Sequence, residues 1–531
     1  MERGYCSNGA FPETDQMIPV TDTPQAPPPV GGGTRLQGSS CCSQRWILAL
    51  MGCFGGIMLE SSRSNLSMAI VCMVNDTDSN ASNLTNSSSA VHEHAEFYWS
   101  KREQSGMLSA YFYGFVVIQI PGGWLVGRYG GKYVMFIGIL IGSIASLLLP
   151  IGARTTKYLV YVLRALVGIS QGVYMLTMQS LWGRWAPPLE RTKLIAVSFS
   201  GPKIGSIAVF VMSGYLCQYG FDNGWGSMFY ITGGITVIWC GMWFCTVAST
   251  PSQHPRISEQ EKNYITGSIG EKDTKSPPTP WVAMLTSPAT WACLTAQLCF
   301  NWTAYTLTTI TPTYLKEVLS FDIAENGLLT SIAFASQAVS SVIAGQLADY
   351  LRSRKYLSTT ATRRIFQTVA FLGAGACLIG TGFVGAERRY VAIALLTTAM
   401  WFMGVSTAGY LVNFVDFAPR YAGILVGVSS TVSTLPGMVA PLIAGAFTPN
   451  KTQEEWRNVF YVCGGFCLLG TVVFGTQARG EVQPWAVNHG EVVVGEGEGV
   501  PMMEIVAVND DRCDTLKHII SSDKDIKEVA F

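Results

Sequence analysis

The sequence contains twelve apolar stretches that are each long enough to cross a lipid bilayer. A bilayer core needs about 20 predominantly apolar residues per α-helix. The stretches lie near residues 46–74, 106–127, 133–152, 158–182, 194–218, 226–248, 284–312, 326–348, 366–385, 390–413, 421–446 and 457–476. Only 13% of the residues are charged, against roughly 25% in an average soluble domain. We therefore expect an all-α membrane protein with twelve transmembrane helices.

A long hydrophilic break divides the stretches into two sets of six. The break, residues 249–283, is predicted to be a cytosolic linker between an N-terminal bundle, 46–248, and a C-terminal bundle, 284–476. Residues 1–45 form a polar tail rich in Pro and Gly that we expect to be disordered and cytosolic, and residues 477–531 form a second cytosolic tail. The first tail lacks the features of a cleavable signal peptide, so the first helix is expected to direct insertion.

The loops between the stretches predict the orientation in the membrane. Three short loops, residues 127–133, 183–193 and 349–364, are basic and fall on one side, which the positive-inside rule assigns to the cytoplasm. The loop of residues 75–105 falls on the other side. Five N-glycosylation sequons lie on that outer side, at Asn75, Asn80, Asn83, Asn86 and Asn450. We therefore expect a glycoprotein with both termini in the cytosol.

Charge and motif content argue against several classes of function. The thirty-five basic and thirty-five acidic side chains cancel, so nothing suggests a nucleic-acid partner. Since no nucleophile elbow, HExxH or Walker motif occurs, we expect no enzymatic activity, no cofactor and no metal site. The fourteen cysteines are scattered mostly through apolar stretches without a CxxC pair, and we interpret them as packing residues, not as a disulfide or metal framework.

Four charged residues interrupt the apolar stretches of the N-terminal half. A charge at the bilayer centre costs about 2.5 to 3.5 kcal/mol on insertion scales, and such residues are usually paired and functional. Glu60 and Arg63 lie one helical turn apart, so they neutralise each other either within a ligand site or only to let the helix insert. Arg164 and Lys203 add two cations, and the positive excess implies a small anionic solute as ligand. Lys203 either belongs to the site or reaches the cytoplasmic interface.

Matching loops in the two halves indicate an internal repeat. GGWLVGRYGGK (122–132) and AGQLADYLRSRK (344–355) occupy equivalent places, and this arrangement resembles the major facilitator superfamily, whose two six-helix halves rock around a central site. The first copy has Gly127 where an Asp is usual, whereas the second keeps Asp349. The strings WAPPLERTKL, FNWTAYTL, ENGLLTS and DFAPRYAGILVG resemble, more narrowly, the anion:cation symporter family of sialin, vesicular glutamate transporters and type I sodium-phosphate transporters.

The resemblance implies a secondary active transporter that carries a small organic anion, such as sialic acid or a similar acidic sugar or amino acid, by alternating access. Arg63, in SRSNLS, matches a family arginine expected to hold the substrate's negative charge with its planar guanidinium. Arg164 matches a second family arginine. The residues Asn301, Trp302 and Tyr305 of FNWTAYTL match positions that face the cavity in the family.

Other matched positions are expected at the cavity wall and at a cytoplasmic gate. Asn413, in YLVNFVDFAPRY, matches the cytosolic end of the tenth helix and is assigned to the substrate site. Phe115, like Phe112, is either cavity wall or ordinary packing. Asp416 is expected to pair with Arg420 and lock the gate. The predicted gate residues are Asp416, Arg420, Arg128 and Asp349.

The fourth helix departs from the sialin pattern in a way that bears on ion coupling. Sialin-like proton symporters carry carboxylates where VGISQGV places Val167 and Gln171. A buried carboxylate changes charge as its pKa is crossed and so carries a proton, whereas Gln does not. Either Glu60 takes over the proton, or Na+ or membrane potential drives transport, as in the phosphate and urate branch. A non-transporting membrane sensor is the alternative from another functional class.

Short motifs in the tails suggest targeting and a protein partner. ETDQMI (13–18) is an imperfect acidic sorting signal, so a lysosomal, vesicular or plasma membrane remains open. Cys41 and Cys42 precede the first helix as candidate palmitoylation sites. The C-terminal Val-Ala-Phe has the spacing that a PDZ domain accepts by strand addition.

Overall fold

The computed structural model of the chain describes residues 43–74, 96–269 and 279–486. Several of the predictions above fall outside these described residues. They concern the sequons at Asn75, Asn80, Asn83 and Asn86, the sorting signal at 13–18, Cys41, Cys42 and the C-terminal motif.

The first six apolar stretches each form one helix. These are α1 (Gln44–Met73), α2 (Lys101–Tyr129), α3 (Gly131–Thr155), α4 (Lys157–Trp185), α5 (Arg191–Tyr219) and α6 (Trp225–Thr246). Capping side chains fix two of the starts: Ser100 accepts a hydrogen bond from the backbone N–H of Glu103 at α2, and Thr156 accepts one from Tyr158 at α4.

The second half contains six spans, two of which are broken. The linker carries α7 (Glu259–Ile269) and α8 (Trp281–Thr286). The spans are α9 (Pro288–Glu317), α10 (Ile323–Ser353), α11 (Thr359–Gly382), α12 (Arg389–Val405) with α13 (Tyr410–Phe417), α14 (Ala422–Val432) with α15 (Leu435–Phe447), and α16 (Gln453–Gln477). A 3-10 turn at Ser406–Ala408 joins α12 to α13. Each predicted stretch thus coincides with one helix or one such pair.

Two of the spans are markedly more polar than the others. Among the described residues, nine helical segments are long and apolar enough to cross a membrane, and α2, bent by 52° beside Pro121, makes a tenth. The remaining spans, α1 and α9, fall short because they bury rows of polar side chains. These include Glu60, Ser61, Ser62, Ser64, Asn65 and Ser67 in α1, and Gln297, Thr303, Thr306, Thr308, Thr309 and Thr311 in α9.

The helices of the two halves pack in the same pattern. In the first half, α1 packs on α5 and α6, α4 packs on α2 and α3, and α3 also packs on α6. In the second half, α9 packs on α15 and α16, α12 packs on α10 and α11, and α11 also packs on α16. Counting spans, each second-half contact is the first-half contact shifted by six. The repeat expected from the two loops is therefore present in the packing of the helices.

The two halves meet along equivalent helices. α5 packs on α10, α2 packs on α15, and α1 packs on α9. We call the end that carries the 75–105 loop the outer end, and the opposite end the inner end. Several contacts between the halves lie towards the outer end, where the Phe210 ring stacks on Phe334 at 5.2 Å. There the backbones of Gly214 and Gly327 also approach closely, since a Cβ on Gly214 would lie 3.1 Å from the Cα of Gly327.

The linker and the start of the C-terminal tail dock on the inner end. Glu261 of α7 accepts hydrogen bonds from the backbone N–H groups of Gln44 and Arg45 at 3.1 and 3.2 Å, and so caps the first turn of α1. On the other half, the backbone N–H of Gln483 donates to the carbonyl of Phe417 at 2.9 Å. The linker therefore packs on the first half, and residues 478–486 of the tail pack on the second.

One prediction about cysteines is wrong. Cys72, at the outer end of α1, and Cys217, at the outer end of α5, form a disulfide with their Cα atoms 6.2 Å apart. Spacing could not predict the bond because the two residues are 145 positions apart, and only the packing of α1 on α5 brings them together. A disulfide suits an oxidising compartment, which agrees with the predicted non-cytosolic side for this end.

Candidate functional site

A small buried cavity lies where α1, α2, α4 and α9 meet. Its lining contains two arginines, two tyrosines, a phenylalanine, a leucine and four hydroxyl side chains. They are Arg63, Ser64, Ser67, Leu108, Tyr111, Phe112, Arg164, Tyr305, Thr308 and Thr309. Both halves contribute, because Tyr305, Thr308 and Thr309 belong to α9. The cavity lies inside the bundle between its midpoint and its outer end, where a ligand would be shielded from lipid.

Close helix packing places the two walls of this cavity. A Cβ on Gly168 of α4 would overlap the carbonyl oxygen of Tyr111 on α2 and lie 3.0 Å from the N–H nitrogen of Phe115. Only glycine permits this approach, which sets Tyr111 beside Arg164. On the other side, a Cβ on Gly205 of α5 would lie 2.7 Å from the carbonyl oxygen of Ile57 in α1.

Glu60 and Arg63 form the predicted ion pair on α1. The Glu60 carboxylate also accepts hydrogen bonds from the hydroxyls of Ser64, at 3.3 Å, and Ser206 of α5, at 3.2 Å. The Glu60 residue is 4% exposed, so the carboxylate is held by three donors away from water. The Arg63 guanidinium lies 5.6 Å from the ring centre of Tyr305, which connects the pair to the cavity and to the second half.

Arg164 approaches the same place from α4. Its two terminal nitrogens donate to the backbone carbonyls of Ser62 and Arg63, at 2.9 and 2.8 Å. Its guanidinium lies 5.6 Å from the ring centre of Tyr111. Two cations and one carboxylate therefore meet at the cavity. Arg164 is held by two backbone carbonyls and the Tyr111 ring, whereas Arg63 is paired with Glu60.

Aromatic rings close the cavity on its remaining sides. Phe112 of α2 packs on Tyr305 of α9 with ring centres 4.8 Å apart, and Tyr111 meets Phe112 edge to face at 5.1 Å. Phe112 is therefore a cavity wall, one of the two alternatives left open above. Phe115 lies one turn further along α2 and stacks on Tyr111 at 6.5 Å, so it supports the wall from outside the cavity lining.

Sequence reasoning missed the hydroxyl side chains and Tyr111. Thr308 and Thr309 each donate to the carbonyl four residues earlier, at 2.8 and 2.7 Å, which leaves their oxygen lone pairs able to accept hydrogen bonds from a ligand. Helical periodicity contained the signal. Ser64 and Ser67 follow Glu60 at four and seven positions, and Thr308 and Thr309 follow Tyr305 at three and four, so each set shares a helix face.

Four other predicted substrate residues lie outside the cavity lining. Asn301 faces the break between α14 and α15, where its amide nitrogen donates to the carbonyl of Ser433 at 3.0 Å. Trp302 stacks on Phe466 of α16 at 4.1 Å, inside the second half. Asn413 is fully buried near the inner end, with its amide nitrogen 3.3 Å from the sulfur of Cys293. The fourth is Lys203, whose ammonium donates to the Ser341 hydroxyl of α10 at 2.7 Å.

The predicted gate residues occupy the inner end of the bundle. The Asp416 carboxylate accepts hydrogen bonds from Arg363, at 2.6 Å, and Arg352, at 3.4 Å. Both arginines belong to the same half as Asp416. Arg420, the expected partner, places its guanidinium 5.7 Å from the ring centre of Tyr421. The remaining two, Arg128 and Asp349, are exposed at the inner ends of α2 and α10.

The positions relevant to coupling and glycosylation have clear surroundings. Val167 and Gln171 of α4 are both buried, and the side-chain oxygen of Gln171 has no hydrogen-bond partner among the described residues. Asn450 is exposed in the turn before α16, where its amide nitrogen donates to Glu455 at 2.7 Å.

Comparison with known proteins decides the family. The family model of the Major Facilitator Superfamily matches residues 52–441. Sialin of Homo sapiens is 38% identical over 84% of this chain and 92% of its own length. The chain belongs to the major facilitator superfamily.

Within the superfamily, the relatives are those of the anion:cation symporter group. An uncharacterized Caenorhabditis elegans transporter, slc-17.2, is 39% identical over 84% of this chain and 93% of its own length. Vesicular glutamate transporter 2 of Bos taurus is 36% identical over 83% of this chain and 75% of its own length. The family placement inferred from the motifs is confirmed, and so is the expectation that the protein is a multi-pass membrane transporter and not an enzyme.

Solved structures show the same fold at low sequence identity. A bacterial homologue of the human lysosomal transporter Spinster, inward-facing and occupied, superposes with a TM-score of 0.63 at 13% identity, over 82% of this chain and 97% of that chain. A D-xylose-proton symporter superposes with a TM-score of 0.61 at 14% identity, over 82% and 99%. The predicted arrangement of two six-helix halves is therefore confirmed as the superfamily fold.

Proposed function

We propose that this protein is a secondary active transporter of small organic anions, with sialic acid or a similar acidic sugar or amino acid as substrate. One observation carries the proposal: Arg63 and Arg164 line the same buried cavity, and among the residues that the structure describes the acidic side chain paired with them is Glu60. Buried charge without compensation is costly, so the cavity is suited to receive a further negative charge. A carboxylate is the natural ligand for a planar guanidinium.

Unused hydrogen-bond donors strengthen this assignment. The Nε atoms of Arg63 and Arg164 are buried and have no hydrogen-bond partner among the described residues. Buried polar atoms are nearly always paired in folded proteins, so a ligand or water is expected to complete them. The hydroxyls of Thr308 and Thr309 are placed to accept hydrogen bonds from the substrate's own hydroxyl or ammonium groups.

Glu60 is the proposed proton-coupling residue. Its carboxylate competes with the substrate for Arg63, because the two are paired when the cavity holds no anion. Protonation of Glu60 removes that competition and releases the Arg63 guanidinium to the substrate. Proton uptake and anion binding then favour each other, which is the requirement for symport.

Coupling to Na+ or to membrane potential is the alternative, with phosphate or urate as substrate. The observation that favours it is the neutral character of α4, where Val167 and Gln171 are both buried. In that case Glu60 remains ionised throughout and serves as a structural counter-ion to Arg63.

The transport cycle is proposed to be alternating access between the two halves. The equivalent packing of α5 on α10 and α2 on α15 allows one half to rock against the other about the cavity. Because similarity to sialin and the vesicular glutamate transporters covers most of the chain, we propose a lysosomal or vesicular membrane, with the plasma membrane as the alternative.

The test is uptake of radiolabelled sialic acid by purified protein in liposomes, with pH, Na+ and voltage gradients imposed separately. Glutamate, urate and phosphate serve as competitors. Uptake driven by the pH gradient and abolished in Glu60→Gln supports the proposal. Uptake that follows Na+ or voltage and survives Glu60→Gln assigns the protein to the alternative. Absence of flux for all four anions would indicate a non-transporting sensor.

Matched controls separate the site from general effects of charge removal. Glu103→Gln removes a half-buried outer-end carboxylate that pairs with Lys157, and Arg154→Gln removes an outer-end arginine that pairs with Glu96 and Asp222. Both are expected to keep the uptake of the unaltered protein. If Arg154→Gln impairs uptake as much as Arg63→Gln, the arginine-based site is wrong.

A further inference from the structure

We propose that a buried ion pair between Lys101 and Glu317 is the outer gate of this transporter. Lys101 is the first residue of α2, in the first half, and Glu317 is the last residue of α9, in the second half. Their ion pair therefore joins the two halves. The side chains are only 11% and 6% exposed. An ion pair this deeply buried stabilises the arrangement in which its partners meet, since separating two opposite charges inside a protein costs more than separating them in water.

The pair lies between the candidate site and the outer end of the bundle. Glu317 is twelve residues beyond Tyr305 on α9, and Lys101 is ten residues before Tyr111 on α2. At 1.5 Å per residue, the pair sits about 15 to 18 Å closer to the outer end than the cavity. A substrate that enters from the outer side must therefore pass between α2 and α9 where this pair holds them together.

A second contact fixes the same turn of α9. The ammonium of Lys316 donates to the backbone carbonyl of Val71 on α1 at 2.7 Å. Adjacent residues of α9 thus hold α1 and α2 at once. These are interactions of a single helical turn, so a small outward movement of the end of α9 breaks both together.

The disulfide indicates that the outer end of α9 moves and that the outer end of α1 stays with the first half. Cys72 and Cys217 tie the outer end of α1 to that of α5 within the first half. α9 is the counterpart of α1 in the second half, and its outer end is held by polar contacts to α1 and α2. We assign opening to the end of α9, moving against a first half that its disulfide keeps rigid.

Opening of this gate should expose the side chain at position 105 to reagents on the outer side. It lies one turn after Lys101, is 8% exposed, and fits so closely under α15 that a Cβ on Gly445 would overlap its side chain. Ser105→Cys is a conservative reporter of separation between the halves at this end. Labelling by a membrane-impermeant maleimide in lipid nanodiscs is followed by mass spectrometry of the peptide that contains residue 105, which separates it from the native cysteines.

Glu317→Gln in this background is expected to raise the labelling rate about tenfold, because a neutral amide no longer attracts the Lys101 ammonium of the other half. Lys101→Met should raise it similarly. The charge exchange Lys101→Glu with Glu317→Lys should return it towards the starting rate. Glu103→Gln, which breaks the more exposed pair with Lys157 inside the first half, should leave it unchanged. Equal rates in Glu317→Gln and Glu103→Gln would overturn the assignment.

The disulfide provides a second discrimination. Replacing Cys72 and Cys217 by Ser should leave the labelling rate within twofold, since the bond joins helices of one half. If this variant opens the outer end as far as Glu317→Gln, the ion pair is not the gate.

Because the gate presupposes the alternating access proposed above, uptake is measured on the same variants. Increased labelling in Glu317→Gln without anion uptake by the parent protein would refute the proposed substrate class and leave the gate intact. Anion uptake with labelling unaffected would refute the gate alone.

Discussion

Gly168 holds α4 against α2, and replacing it is expected to disturb the candidate site from outside the cavity. A Cβ at this position would overlap the Tyr111 carbonyl oxygen and lie 2.9 Å from its carbonyl carbon. Favourable contacts between such atoms need about 3.5 to 4.0 Å. The carbonyl oxygen would lie only 1.9 Å from the new Cβ. Because neither neighbour is a flexible side chain, the two helix backbones must separate by about 1 Å or more.

The separation has an energetic and a functional consequence. Overpacking of this kind costs about 1–3 kcal/mol, whereas alanine in a helix gains only about 1 kcal/mol over glycine. Arg164 lies one turn before Gly168, with its guanidinium 5.6 Å from the ring centre of Tyr111. Moving α4 away from α2 therefore displaces both a cation and a wall of the cavity. We expect Gly168→Ala to melt at a lower temperature and to lose most of its anion uptake.

The assay compares Gly168→Ala with Gly234→Ala. Gly234 also lies within a membrane helix, α6, but a Cβ there would meet no heavy atom of the described residues within 4 Å. Melting in detergent and uptake in liposomes are measured for both variants. Gly234→Ala should match or exceed the stability of the unaltered protein and retain uptake. Normal melting and normal uptake in Gly168→Ala would refute the claim that this close approach positions the site.

Three further predictions follow from single contacts. Arg63→Lys keeps the charge but loses the planar guanidinium, and since a charge-assisted hydrogen bond is worth about 1.5–3 kcal/mol, competition assays should show a roughly tenfold to hundredfold weaker anion affinity. Arg363→Gln removes the buried cation that bonds to Asp416 at 2.6 Å and should cost about 3–5 kcal/mol of stability, seen as a lower melting temperature. Cys217→Ser removes the α1–α5 disulfide, so a non-reducing peptide map should show a free Cys72, and thermal stability should fall by an amount equivalent to about 2–4 kcal/mol.

Interactions within one helix could be predicted because they depend only on helical spacing. Glu60 and Arg63 are three residues apart, and the structure pairs them as expected. The same rule, applied to Tyr305, would have added Thr308 and Thr309 to the cavity lining. Helical spacing does not determine which neighbouring helix a given face contacts. Trp302, matched by motif to a cavity position, packs on Phe466 within the second half instead.

Interactions between distant residues could not be predicted from spacing. Asp416 was predicted to pair with Arg420, four residues away, and spacing could not add the hydrogen bonds that it accepts from Arg363 and Arg352, which are 53 and 64 positions earlier. Which arginines of other helices reach Asp416 depends on how α11 and α10 pack around it. For the same reason, the gate residues predicted from the sequence included only residues of the inner end. The Lys101–Glu317 pair joins residues 216 positions apart.

The sequence by itself determined the number of membrane-spanning segments, their division into two halves, the family and the presence of charges within the membrane. A membrane-spanning helix needs an apolar segment of a certain length, and a charge inside the bilayer is energetically costly. These properties can therefore be recognised from local composition. The tertiary structure decided which of those charges share a cavity, which cysteines pair and which residues join the halves at the outer end. Those outcomes depend on helix crossings such as the one at Gly168, where the absence of a side chain sets the distance between two backbones and hence the position of every group they carry.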